Sequence, residues 1–203
     1  MSFTMSNAVI ETSASSSKLA SGNVFLVGMT GVGKSTVGRH LGAALRRPFL
    51  DSDHELQRIY GKSVQEMFAQ DGEPVFRQRE TDVLTDLCRR QGIVLATGGG
   101  AVMAQANRDE LKQGGVVIYL RSAIAVIRTR IGHHRDRPLL GNDNLEERLH
   151  KMLEQRAHLY EEVADVIVDT DLVHAPHAVQ DILGRLRALG MALPERPVAS
   201  SDQ

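Results

Sequence analysis

The eight residues Gly28-Met29-Thr30-Gly31-Val32-Gly33-Lys34-Ser35 fit the pattern G-x-x-x-x-G-K-[ST]. The pattern constrains the fold because its chemistry needs a loop between a buried strand and a helix start. Its glycines let backbone N–H groups turn inward around phosphate oxygens. The lysine reaches the β- and γ-phosphates, and the hydroxyl after it ligates Mg²⁺. The first turn of the helix adds the positive end of a dipole. Asn23 to Gly28 (NVFLVG) reads as a buried strand entering the loop, and Lys34 to Arg47 has helical spacing that ends before Pro48. Gly31, Val32, Gly33, Lys34, Ser35 and Thr36 are therefore predicted to cradle the phosphates of ATP.

The rest of the chain alternates in the same way. Strands are predicted over 49–51, 93–97, 116–120 and 166–169, and helices over 74–90, 146–160 and 178–189. Alternation of this kind implies an α/β fold of three layers, with a mostly parallel sheet covered by helices on both faces. Ligands of such sheets lie at the carboxyl ends of the strands.

Length and composition narrow the class further. With 203 residues the chain suits one domain. A formal net charge of −1 gives no basic field for nucleic acid, and the absence of Trp removes the best stacking side chain. One cysteine, Cys88, excludes an intrachain disulfide and fits a cytoplasmic protein; it reads as a small core residue on a helix stripe. No apolar run near the start approaches the ~20 residues of a membrane span. Residues 1–22 read as a disordered leader, 23–191 as the folded domain and 192–203 as a flexible tail. A monomer is expected, because no heptads stand out.

Acceptor chemistry sits on the other predicted strand ends. No Asn-Lys-x-Asp segment reads guanine anywhere in the chain. Phe49-Leu50-Asp51-Ser52-Asp53 offers Asp51 to Mg²⁺ beside Ser35, and leaves Asp53 to accept the proton of an attacking hydroxyl. The same residues also suit a helix start, with Ser52 and Glu55 as a capping box. Arg77 and Glu80 share a helix face, so the guanidinium can be held ready for a carboxylate, although a solvated surface arginine would look the same. Gly98, Gly99 and Gly100 would let a backbone approach a small ligand. The charged stretch His133 to Leu140 reads as a lid loop whose arginines could meet the transferring phosphoryl group. Arg156 is a further candidate anion ligand.

In this order, GMTGVGKST, LDSD, DGEPVFRQRE, TGGGAV, RPLL, QRAHLY and VIVDT resemble the shikimate kinases, and the resemblance runs from about Val24 to the last helix. It implies a sheet of five parallel strands and transfer of the γ-phosphoryl of ATP to the 3-hydroxyl of shikimate, with Mg²⁺ as cofactor. It implies that Asp53 binds and polarises the acceptor hydroxyl. Arg77 and Arg156 would clamp the carboxylate, and Gly98 to Gly100 would wall the acceptor site, with Gly99 nearest the ligand. Arg137 would touch the ATP phosphates from the lid, and Ser35 and Asp51 would form the metal shell. The chain departs from the family in having no arginine in Asp171-Leu172-Val173, so Arg130 and the loop near Pro176 are read as facing the adenine instead.

Overall fold

The computed structural model describes residues 16–132, 144–171 and 174–194. Five parallel strands, β1 (Val24–Val27), β2 (Phe49–Asp51), β3 (Val94–Ala96), β4 (Val116–Arg121) and β5 (Val166–Asp169), form one sheet in the order β2-β3-β1-β4-β5. β1 is central. Val24 to Val27 are all fully buried, so helices cover the sheet on both faces, as a continuous apolar run demands. Among the described residues these helices are α1 (Ser16–Ser21), α2 (Lys34–Leu45), α3 (Ser52–Tyr60), α4 (Val64–Cys88), α5 (Gln105–Gly114), α6 (Ile124–Gly132), α7 (Leu145–Val163) and α8 (Ala175–Ala188).

Two glycines set how closely α2 lies to the sheet edge. A Cβ on Gly38 would stand 2.3 Å from the Phe49 ring, and one on Gly42 would stand 3.0 Å from the Arg47 carbonyl oxygen. α4 is two helical stretches meeting at a kink. Gly72 interrupts it with φ 80° and ψ 164°, and Pro74 stands in the first turn beyond. Asp71 braces the kink, accepting from Lys62 at 3.2 Å and from Arg79 at 2.6 Å.

The structure corrects several expectations. The helix predicted from Pro74 is the stretch of α4 beyond the Gly72 kink; the stretch before it, from Val64, was not predicted, and Ser63 and Glu66 open it with a reciprocal capping box. The box predicted at Ser52 and Glu55 does not form. Asp51 is the cap of α3, its carboxylate accepting from the backbone N–H of Asp53 and His54, and Ser52 Oγ instead accepts the Gly98 N–H at 2.8 Å. Pro176 lies in the first turn of α8 rather than in a loop. The predicted leader also gives up its last residues to the folded body. Ser16 to Ser21 form α1, and Lys18 reaches Asp165 with Nζ–Oδ2 at 2.7 Å, both side chains being less than a tenth exposed. At the other end Met191 is buried and Leu193 packs on the core. Cys88 is buried as expected, and burial pushes its thiol up to about 12, so it is an inert core residue.

Candidate active site

The strand ends converge on one cavity of about 530 Å³. The phosphate loop, from Thr30 to Thr36, lines its middle. The loop takes its shape from positive-φ glycines. Gly28 has φ 137°, and a Cβ there would stand 2.4 Å from the Leu120 carbonyl oxygen. Gly33, at φ 101°, turns the chain into α2. Lys34 is buried, with Nζ donating to the carbonyls of Gly28 at 2.7 Å and Met29 at 2.9 Å. The ammonium is thus held at the mouth of its own loop.

Ser35 Oγ donates to Asp51 Oδ2 at 2.7 Å. This hydroxyl and carboxylate face each other from α2 and the end of β2, so two hard oxygens stand together as Mg²⁺ requires. Among the described residues no group of three His, Cys, Asp or Glu side chains is placed to hold a metal. Asp51 therefore serves two purposes that the sequence reading kept apart, capping α3 and facing Ser35.

Asp53, in the first turn of α3, also lines the cavity. Its position explains Gly98, where a Cβ would stand 2.7 Å from Asp53 Oδ1 and 3.0 Å from Glu80 Oε1. Gly100 has the same relation to the predicted clamp. A Cβ there would stand 2.6 Å from Arg77 Nη1. Arg77 donates to Glu80 Oε2 at 2.7 Å and to Glu73 Oε1 at 3.2 Å, as their spacing on α4 predicts. Burial pushes the Glu80 carboxyl above its ordinary range while Arg77 pulls it back, and the carboxylate partners hold Arg77 firmly protonated.

Arg156 approaches the same wall from α7, with Nη1 3.4 Å from the Gly99 carbonyl oxygen. Its Nε is buried and, among the described residues, has no hydrogen-bond partner. A buried donor of this kind calls for an acceptor. Neither Arg77 nor Arg156 lines the cavity itself, whereas Gly99 does. The glycine wall joins the two regions.

The cavity's other end is formed by Arg130, Ile131, Thr170, His174, Ala175 and Ala178. Arg130 ties the loop to the end of β5, donating to Val32 O at 3.1 Å and to Thr170 O at 2.5 Å. The sequence reading missed Thr170 and His174 there, and also Tyr160 behind the wall. His174 precedes α8, whose start it had placed three residues later. Arg137 and the rest of the predicted lid loop lie outside the described residues.

This arrangement has close counterparts. A shikimate kinase of Pseudomonas putida strain F1 is 47% identical over 167 residues, covering 82% of this chain and 97% of that protein. One from Nitrosospira multiformis is 44% identical, covering 83% and 87%. The structure of shikimate kinase from Acinetobacter baumannii in complex with shikimate superposes with a TM-score of 0.80 at 43% identity, covering 84% of this chain and 95% of that one. The shikimate kinase family model matches residues 30–187, which take in the phosphate loop from Thr30 onward, both strand-end carboxylates, the glycine wall and both arginines. The chain belongs to the shikimate kinase family.

Proposed function

We propose that the chain transfers the γ-phosphoryl group of ATP to the 3-hydroxyl of shikimate, giving shikimate 3-phosphate and ADP on the route to chorismate. One observation carries this reading. A single cavity is bordered by the phosphate loop from Thr30 to Thr36 and also by Asp53 and Gly99, beside two arginines suited to a carboxylate.

Phosphoryl transfer is mainly positioning and charge neutralisation. Backbone N–H groups of Gly31 to Thr36 would receive the phosphates, and Lys34 would exchange its loop carbonyls for phosphate oxygens. Ser35 and Asp51 would hold Mg²⁺, which neutralises phosphate charge when bound. Asp53 would accept the proton of the attacking hydroxyl, or a hydrogen bond from it. Arg77 and Arg156 would grip the carboxylate, and the Gly98 to Gly100 backbone would fit against the ring. Arg130, Thr170 and His174 would border the nucleoside, and Arg137 would approach the phosphates. The reading extends to a monomeric, cytoplasmic enzyme that binds no nucleic acid. Among the described residues no helix is long and apolar enough to cross a membrane.

The test is a coupled ADP-release assay with Mg-ATP and shikimate, using gluconate and quinate as comparison acceptors. ADP release that depends on shikimate is the expected result. Background rates with shikimate and a clear rate with another acceptor would overturn the substrate assignment.

A further inference from the structure

One peptide group of the glycine wall is held from behind. The Gly99 carbonyl oxygen accepts the Tyr160 hydroxyl at 2.5 Å and Arg156 Nη1 at 3.4 Å. Both side chains project from α7, four residues apart, so one helix face delivers both. Tyr160 is fully buried, and its ring stacks on Tyr119 with centroids 5.0 Å apart. Burial raises the pKa of its hydroxyl, which therefore stays a donor. A side chain packed in this way has little rotamer freedom, so the stack fixes where its hydroxyl oxygen stands, and the Gly99 carbonyl sets the direction of the O–H.

We propose that Tyr160 is a positioning residue that sets the plane of the Gly99–Gly100 peptide and so tunes acceptor binding. This rests on reading the glycine wall as the acceptor site. The C=O and the following N–H of a trans peptide point in opposite directions. A Gly99 carbonyl drawn toward α7 therefore turns the Gly100 N–H away from α7. Three successive glycines have unusual freedom to rotate such a plane. Local turns fix the neighbouring carbonyls, through Ala101 N–H to Gly98 O at 3.1 Å and Met103 N–H to Gly100 O at 3.0 Å. The Gly99 carbonyl between them is fixed by side chains of another element, and Tyr160 makes the shorter contact.

Tyr160→Phe removes the hydroxyl and keeps the stack. The shikimate KM, and the shikimate Kd measured by titration calorimetry without ATP, should rise about five- to tenfold, as for one lost hydrogen bond to a buried acceptor. The ATP KM should stay within about twofold. Tyr119→Phe makes the same chemical change on the other ring and should alter neither constant. An unchanged shikimate Kd in Tyr160→Phe would overturn the proposal. So would equal rises in both KM values together with a lowered Tm, which is the mark of general damage. A wild-type chain that releases no ADP with shikimate would overturn the functional reading and this proposal together. That failure shows before any substitution is made, so the two are told apart.

Discussion

Arg77 Nη1 donates to Glu80 Oε2 across 2.7 Å, and the receiving carboxylate is only 2% exposed. The guanidinium is thus set in place before any ligand arrives. Its cost in rotamer entropy falls on folding rather than on binding. Arg77→Ala should raise the shikimate KM by about 10- to 100-fold with little change in the ATP KM, as expected for a charged hydrogen-bonded contact remote from the reacting atoms. Arg77→Lys should not restore it, because a lysine has no planar fork. Separate KM determinations for the two substrates check both outcomes.

Asp53→Asn keeps the shape of the first turn of α3 and removes the charge. Turnover should fall by about 10²- to 10⁴-fold, the usual range for a general base. ATP binding, followed by thermal shift with Mg-ATP, should persist, because the phosphate loop is untouched. Wild-type turnover in this variant would remove Asp53 from the role proposed for it.

The Lys18–Asp165 pair lies at the end of the sheet away from the cavity, since Asp165 precedes β5 and also accepts the Val117 N–H at 2.8 Å. Lys18→Met would leave a buried carboxylate without its cation. Breaking such a pair costs about 3–5 kcal/mol, so thermal unfolding should shift down by roughly 6–20 °C. Turnover at 25 °C should be unchanged. The check is a melting curve beside an activity assay.

Asp71 gives a prediction in pH. Hydrogen bonds from Arg79, then from Lys62, hold its carboxyl below its ordinary range. A carboxylate with a depressed folded pKa binds fewer protons folded than unfolded. Its stabilising effect is therefore present above the unfolded value of ~3.9 and is lost as pH falls through the folded value. Asp71→Asn should melt lower than wild type near neutrality, and the two curves should approach each other as the pH falls below ~4. A constant gap down to pH 2 would show that Asp71 acts on the kink by packing alone.

Much of this was legible because strong local signals coincide with the sheet. β2 and β5 were bounded correctly at Phe49–Asp51 and Val166–Asp169. The phosphate loop follows a fully apolar β1, so periodicity and motif agree. α5 was not legible. It is nearly all polar, and no side chain caps it at Ala104. The predicted start at Pro74 matches the stretch of α4 beyond the Gly72 break, while the stretch from Val64 to the kink was not predicted. At the site, spacing foretold the Arg77–Glu80 pair. The contact of Tyr160 with Gly99 spans 61 residues, and no local pattern encodes it. The double use of Asp51 was missed for a related reason. Its place beside Ser35 was expected, but the cap of α3 was assigned to Ser52, because Ser52-x-x-Glu55 fits a capping box as well as Asp51 fits a cap.

The three wall glycines have a bearing on how such a site can change over time. Side chains or backbone already occupy the space beside each one: Asp53 at Gly98, the Thr30 backbone at Gly99 and Arg77 at Gly100. Even one added methyl group would displace a functional group rather than reshape the wall. Change at these positions therefore falls on the flexible ends of Asp53 and Arg77, and at Gly99 on the stiffer Thr30 backbone. A lineage drifting toward a different hydroxylated metabolite could not alter the wall alone, because any side chain added there also moves the residues that face the glycines.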